Sequence, residues 1–148
     1  MKYIKTLLFA TIISTLLFTT SCGGDDDSPS DADRATSQLV GTWIATGVIL
    51  DNISVLSPTY DNFQLIVNSD LSYDTNGGAP AFTDNGGFFT LGEVMGDIIN
   101  VTMDGVAATF TVDTETNTAL LEFTAPSDPI GARVSGLNGD YQFSLQKQ

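Results

Sequence analysis

Residues 97–125 read DIINVTM, then DG, then VAATFTVD, then TETN, then TALLEFTA. Each apolar run is rich in β-branched and aromatic residues, is too short for a stable helix, and places apolar side chains at alternate positions. That is the period of a half-buried strand. Asp104-Gly105 suits a two-residue type I′ turn, which needs positive φ at both central positions. Strands this short, joined by turns this tight, can pair only with their neighbours in sequence and antiparallel. This local grammar constrains the fold more than any other property of the chain.

The same pattern extends over residues 38–147 and gives eight runs: Leu39 to Leu50 with a kink at Gly47, Phe63 to Asn68, Leu71 to Thr75, Gly86 to Leu91, Asp97 to Met103, Val106 to Asp113, Thr118 to Ala125 and Asp140 to Lys147. NSDLS between the second and third reads as a hairpin. The expected fold class is all-β: an eight-stranded antiparallel up-and-down barrel, because closure removes the exposed edges of a long meander. A β-sandwich is the alternative, and it needs Greek-key crossovers for which most loops are too short. Eight strands enclose either packed side chains or one small ligand. Trp43, Phe63, Tyr73, Phe89, Phe110, Phe123 and Phe143 are the expected interior aromatics. Phe63, Leu65, Tyr73, Phe110, Phe123 and Phe143 are the candidates to line a cavity for a small apolar ligand. The competing reading is a packed barrel that contacts a glycan or protein through exposed Tyr60, Phe82 or Phe88.

The N-terminal segment follows other rules. Lys2 and Lys5 precede an uncharged run from Thr6 to Thr20, and the small Ser21 stands before Cys22, the only cysteine. This is the layout of a cleaved signal peptide, and the run is short and hydroxyl-rich for a membrane span. The sequence from Gly23 to Arg34, GGDDDSPSDADR, lacks any large apolar residue and cannot offset its ordering entropy. The expected organisation is a signal peptide over 1–21, an acidic tether over 22–37 and one barrel domain over 38–148.

Thr19, Thr20, Ser21 and Cys22 resemble the lipobox of bacterial lipoproteins, with Thr19 where an aliphatic residue is usual. Followed by Gly-Gly-Asp-Asp-Asp, the motif looks like that of Bacteroidota lipoproteins. The resemblance implies cleavage after Ser21, acylation of Cys22 with chains such as palmitate, and anchoring to the outer membrane, with the acidic run accompanying export to its outer face. Gln38-Leu-Val-Gly-Thr-Trp43 resembles the Gly-x-Trp opening of lipocalins, which implies a barrel-floor role for Gly41 and Trp43. Lipocalins also pack a late arginine over that tryptophan; here Arg133 lies in the loop before the last strand.

Charge and chemistry narrow the function. The chain carries a net charge of −13 with five cations, so nucleic acid is not an expected partner. There is no histidine, which removes histidine-based triads and zinc sites. Most aspartates fall at turns, where the side chain bonds to local amides, and Glu122 stands within a strand on its outer face. Asp113, Glu115 and Asn117 alternate as in the start of a calcium loop but lack the glycine and the twelfth-position glutamate. No cofactor, metal or catalytic residue is expected, and the domain is expected to be a monomer that binds rather than catalyses.

Overall fold

The structure, a computed structural model, describes residues 28–77, 86–125 and 138–148. It opens with a helix, α1 (Asp31–Leu39), followed by β1 (Gly41–Leu50), β2 (Ile53–Ser54), a single helical turn over Leu56–Tyr60, β3 (Gln64–Val67) and β4 (Ser72–Asn76). After the segment 78–85 come β5 (Gly87–Met95), β6 (Ile98–Met103), β7 (Val106–Asp113), β8 (Thr118–Ala125) and β9 (Gly139–Lys147). Each barrel strand pairs antiparallel with the next, and β1 also pairs with β9 from Trp43↔Lys147 to Leu50↔Tyr141. That last pairing closes eight strands into a barrel, as expected; β2 is an extra two-residue strand folded back on the end of β1.

Local chemistry explains the turns. Asp104 and Gly105 adopt φ of 49° and 82°, the type I′ arrangement read from the sequence. Asp51 and Asn52 do the same at 47° and 67°, which folds Ile53 against Leu50. In the NSDLS hairpin, Asp70 accepts the Ser72 amide at 3.0 Å and Leu71 is held at φ 64°. The kink expected at Gly47 is a bulge: the register with β9 shifts between Ala45 and Gly47. The extra residue, Thr46, lets Trp43, Ala45 and then Val48 face inward.

Alternation places the core as read from the sequence. Ala119, Leu121, Phe123 and Ala125 of β8 and Tyr141, Phe143 and Leu145 of β9 are buried. Two differences are informative. Asp31 to Ser37, expected in the tether, are helical because Ser30 and Asp33 form a capping box and because Ala35 and Leu39, four apart, bury one face. Strand β5 runs on to Met95, so Glu93 joins Glu122 as a glutamate within a strand.

The wall has one thin seam. Strands β4 and β5 pair at Ser72↔Phe88 and Tyr73↔Gly87, after which, among the described residues, β5 is flanked by α1 and the β3–β4 turn instead of a strand. Two side-chain features reinforce the seam. The Tyr73 hydroxyl donates to the Asp104 carboxylate across it. At Gly86, with φ 79°, a Cβ would stand 2.1 Å from the Tyr73 carbonyl, so only glycine allows this approach. Hydrogen exchange followed by mass spectrometry should find β4 amides opening before those of β8 and β9. Tyr73→Phe, which removes a bond to a charged group, should cost about 2 kcal/mol and widen that difference; equal protection of all strands would contradict this account.

Candidate functional site

The six residues proposed from sequence to line a cavity are brought together, and none is more than 5% exposed. Phe63 and Phe143 have ring centroids 4.9 Å apart, and Phe123 stacks on Phe143 at 5.8 Å. Tyr60 meets Phe143 edge-on at 5.3 Å and Tyr141 stacks on Phe123 at 5.2 Å. Leu65, Tyr73 and Phe110 belong to the same buried cluster. Aromatic pairs at these distances gain attraction beyond the area they bury.

Tyr60, offered from sequence as an exposed contact residue, is instead 2% exposed. It lies outside any strand, where no periodicity marks inside from outside, and the Leu56–Tyr60 turn carries its ring into the barrel. Phe88 is exposed as expected, at 71%, while Phe82, Arg133, Ser21 and Cys22 lie outside the described residues.

The floor centres on Gly41 and Trp43. Trp43 is fully buried and its indole N–H donates to the Leu39 carbonyl at 2.7 Å, so the end of α1 plugs the barrel. Lys147 lies over the Trp43 ring at 5.1 Å and donates to the Gln38 carbonyl at 2.9 Å. A cation over this ring is the arrangement for which the sequence reading considered Arg133; the last strand supplies it from Lys147. Gly41 has φ 139°, and a Cβ there would meet the Lys147 Cε at 2.6 Å. The glycine therefore makes room for the lysine stem, which explains the pairing of small and large residues in Gly-x-Trp.

Burial pulls the Lys147 ammonium below its ordinary value and pushes the phenols of Tyr60 and Tyr141 up; at Tyr141 burial is reinforced by its hydrogen bond with Tyr60. The shifted carboxylates have a different cause. Hydroxyl hydrogen bonds from Ser30, Ser72 and Thr116 hold Asp33, Asp70 and Asp113 below the usual range. These are caps and turns. Asp113 accepts the Glu115 and Thr116 amides at 2.9 and 3.1 Å, so the stretch that resembled a calcium loop is a hairpin turn. Among the described residues no three acidic or cysteine side chains are placed to hold a metal, and no helix is long and apolar enough to cross a membrane.

Three hollows formed by described residues lie on the outer wall. One spans Ala107, Thr109, Glu122, Thr124, Asp140 and Gln142, with a volume of about 460 Å³. Gln142 donates to Glu122 at 2.9 Å and Thr124 to Asp140 at 2.7 Å, so each carboxylate is tied across β8 and β9 through one oxygen. A second lies beside Asp51 and Asn52, and a third between α1 and β5. No protein family, curated protein or solved structure matches the chain.

Two outcomes follow for the floor and the tyrosines. Gly41→Ala and Lys147→Ala should each destabilise by about 1 to 2 kcal/mol, and the double variant by less than their sum, because removing Lys147 removes the clash. Full additivity in urea titrations would separate the two residues. Tyr60 and Tyr141 titrate at 10.0 when unfolded and higher when folded. Above pH 10.0 the folded state thus holds more protons than the unfolded, and stability falls as pH rises. Lys147 acts oppositely just below its ordinary 10.5, where the unfolded state binds more protons. The urea midpoint should drop from about pH 9 to about pH 11, and the Tyr60→Phe/Tyr141→Phe pair should flatten that drop.

Proposed function

We propose that this chain is a lipid-anchored envelope lipoprotein whose filled barrel acts as a non-enzymatic contact module for a glycan or protein. The observation that carries the reading is the ring cluster of Tyr60, Phe63, Phe123, Tyr141 and Phe143, which occupies the space a small apolar ligand would use. With the interior committed to packing, contacts fall to the outer wall. The groove over Ala107 is its best-suited part for a hydroxyl-rich ligand, since Glu122, Asp140 and Gln142 offer acceptors from adjacent strands.

The anchor rests on Ser21-Cys22 and the acidic residues after it. One acyl chain holds a protein only marginally, at about 0.8 kcal/mol per buried methylene, and two or more hold it firmly. The outer membrane is the proposed location, with Gly23 to Asp27 as the candidate signal for its outer face. The absence of histidine and the engagement of Asp70 and Asp113 in turns support binding over catalysis.

Cells fed a clickable palmitate should label the wild-type protein and leave Cys22→Ala unlabelled; equal labelling would end the anchor reading. Native mass spectrometry of the protein purified from membranes should show the lipidated chain with no further small ligand. A stoichiometric apolar ligand retained in that spectrum would overturn the filled barrel and restore the carrier reading.

A further inference from the structure

We propose that the groove between α1 and β5 receives one acyl chain of the protein's own Cys22 anchor whenever the protein is away from a bilayer. The inference rests on the lipoprotein reading above. The groove, of about 560 Å³, lies where β4 and β5 part after Ser72↔Phe88, so that, among the described residues, a helix and not a strand lies along β5. Ala32 and Val40 line it from the helix side and Leu71 and Leu91 from the barrel side, with Ser69 at the turn; the two helix hydroxyls that also border it, Thr36 and Ser37, donate to the Ala32 and Arg34 carbonyls. Leu71 is held there with φ 64°, a backbone conformation that leucine rarely adopts.

The occupant follows from the chemistry and from where the described chain begins. The outer-wall groove over Ala107 is lined by Glu122 and Asp140 and the hollow beside Asp51 by Asp51 and Asp140, whereas the α1 groove has a single carboxylate, Asp33, beside the aliphatic Ala32, Val40, Leu71 and Leu91. The carboxylate at its edge, Asp33, is occupied by the Ser30 amide and hydroxyl. An uncharged acyl chain suits this surface, and it is indifferent to the net charge of −13 that repels anionic ligands. The described residues begin at 28, and Ala32 of the groove lies only ten positions after Cys22. Even fully extended, that stretch spans at most about 35 Å, so the anchor cannot stray far.

A short tether also raises the local concentration of the acyl chain to the order of millimolar, so a groove with only millimolar affinity would be about half occupied. A bilayer offers complete burial of every methylene and empties the groove on contact. The groove therefore shields one chain in water and yields it at a membrane.

The test uses the full chain, expressed in cells fed a diazirine-bearing palmitate and purified from membranes. It is irradiated once in detergent-free buffer and once in phosphatidylcholine vesicles, and crosslinked peptides are mapped by mass spectrometry. In buffer, crosslinks should concentrate on peptides containing Val40, Leu71 and Leu91; in vesicles they should pass to lipid. Ala32→Trp, which fills the groove from an exposed helix position, and Leu91→Asp should each cut the groove crosslinks about fivefold. That is the change from about half to about a tenth occupancy on tenfold weaker binding. The circular dichroism spectrum controls for folding, and Ala32→Trp leaves the core untouched should Leu91→Asp unfold. Labelled protein with scattered crosslinks, or crosslinks that both folded variants retain, overturns the groove and leaves the anchor standing. Protein that carries no diazirine lipid overturns both.

Discussion

The pairing of β1 with β9 is the constraint on which the rest depends. It runs from Trp43↔Lys147 to Leu50↔Tyr141 and turns a meander with two open edges into a closed wall. Closure fixes the interior at a size that side chains can fill. The strands then deliver Phe63, Phe123, Tyr141 and Phe143 into that space, and the Leu56–Tyr60 turn adds one more ring. Once the rings meet, the inner face is spent on stability. The outer wall carries the groove lined by Glu122, Asp140 and Gln142.

Closure also explains why the ends differ. At the floor, α1, Trp43 and Lys147 form one assembly in which an indole donates to the Leu39 carbonyl and an ammonium covers the ring. Gly41 is part of it by virtue of lacking a side chain. At the β4–β5 seam the wall is held by little backbone pairing and by the Tyr73–Asp104 bond. The groove under α1 lies on the continuation of that seam, so the sparsely paired part of the sheet adjoins a hollow lined by Ala32, Val40, Leu71 and Leu91.

Much of this was legible in the sequence. Alternation in TALLEFTA and DYQFSLQK places Leu121, Phe123, Tyr141, Phe143 and Leu145 inside, and Asp104-Gly105 forms the turn its chemistry requires. The same alternation, carried one step further, puts Lys147 on the inner face. Other features left weaker traces. Helix α1 contributes only Ala35 and Leu39 to the core, so composition reads as tether while the Ser30–Asp33 capping box is the sole local sign of a helix. Tyr60 sits in a segment with no repeating pattern, and only the tertiary fold assigns it to the core.

The order of the strands carries a consequence for how the protein is made. Strand β1 forms early in the chain, yet its long partner β9 comes last, and Trp43 waits for Lys147 to complete its cover. A nascent chain can assemble the hairpins from β5 to β8 through local contacts, but it cannot seal the floor until nearly every residue is available. Pairings that join distant segments form slowly because loop closure precedes the gain from contact. Such a chain keeps its barrel open until β9 is available, so the floor seals late in folding.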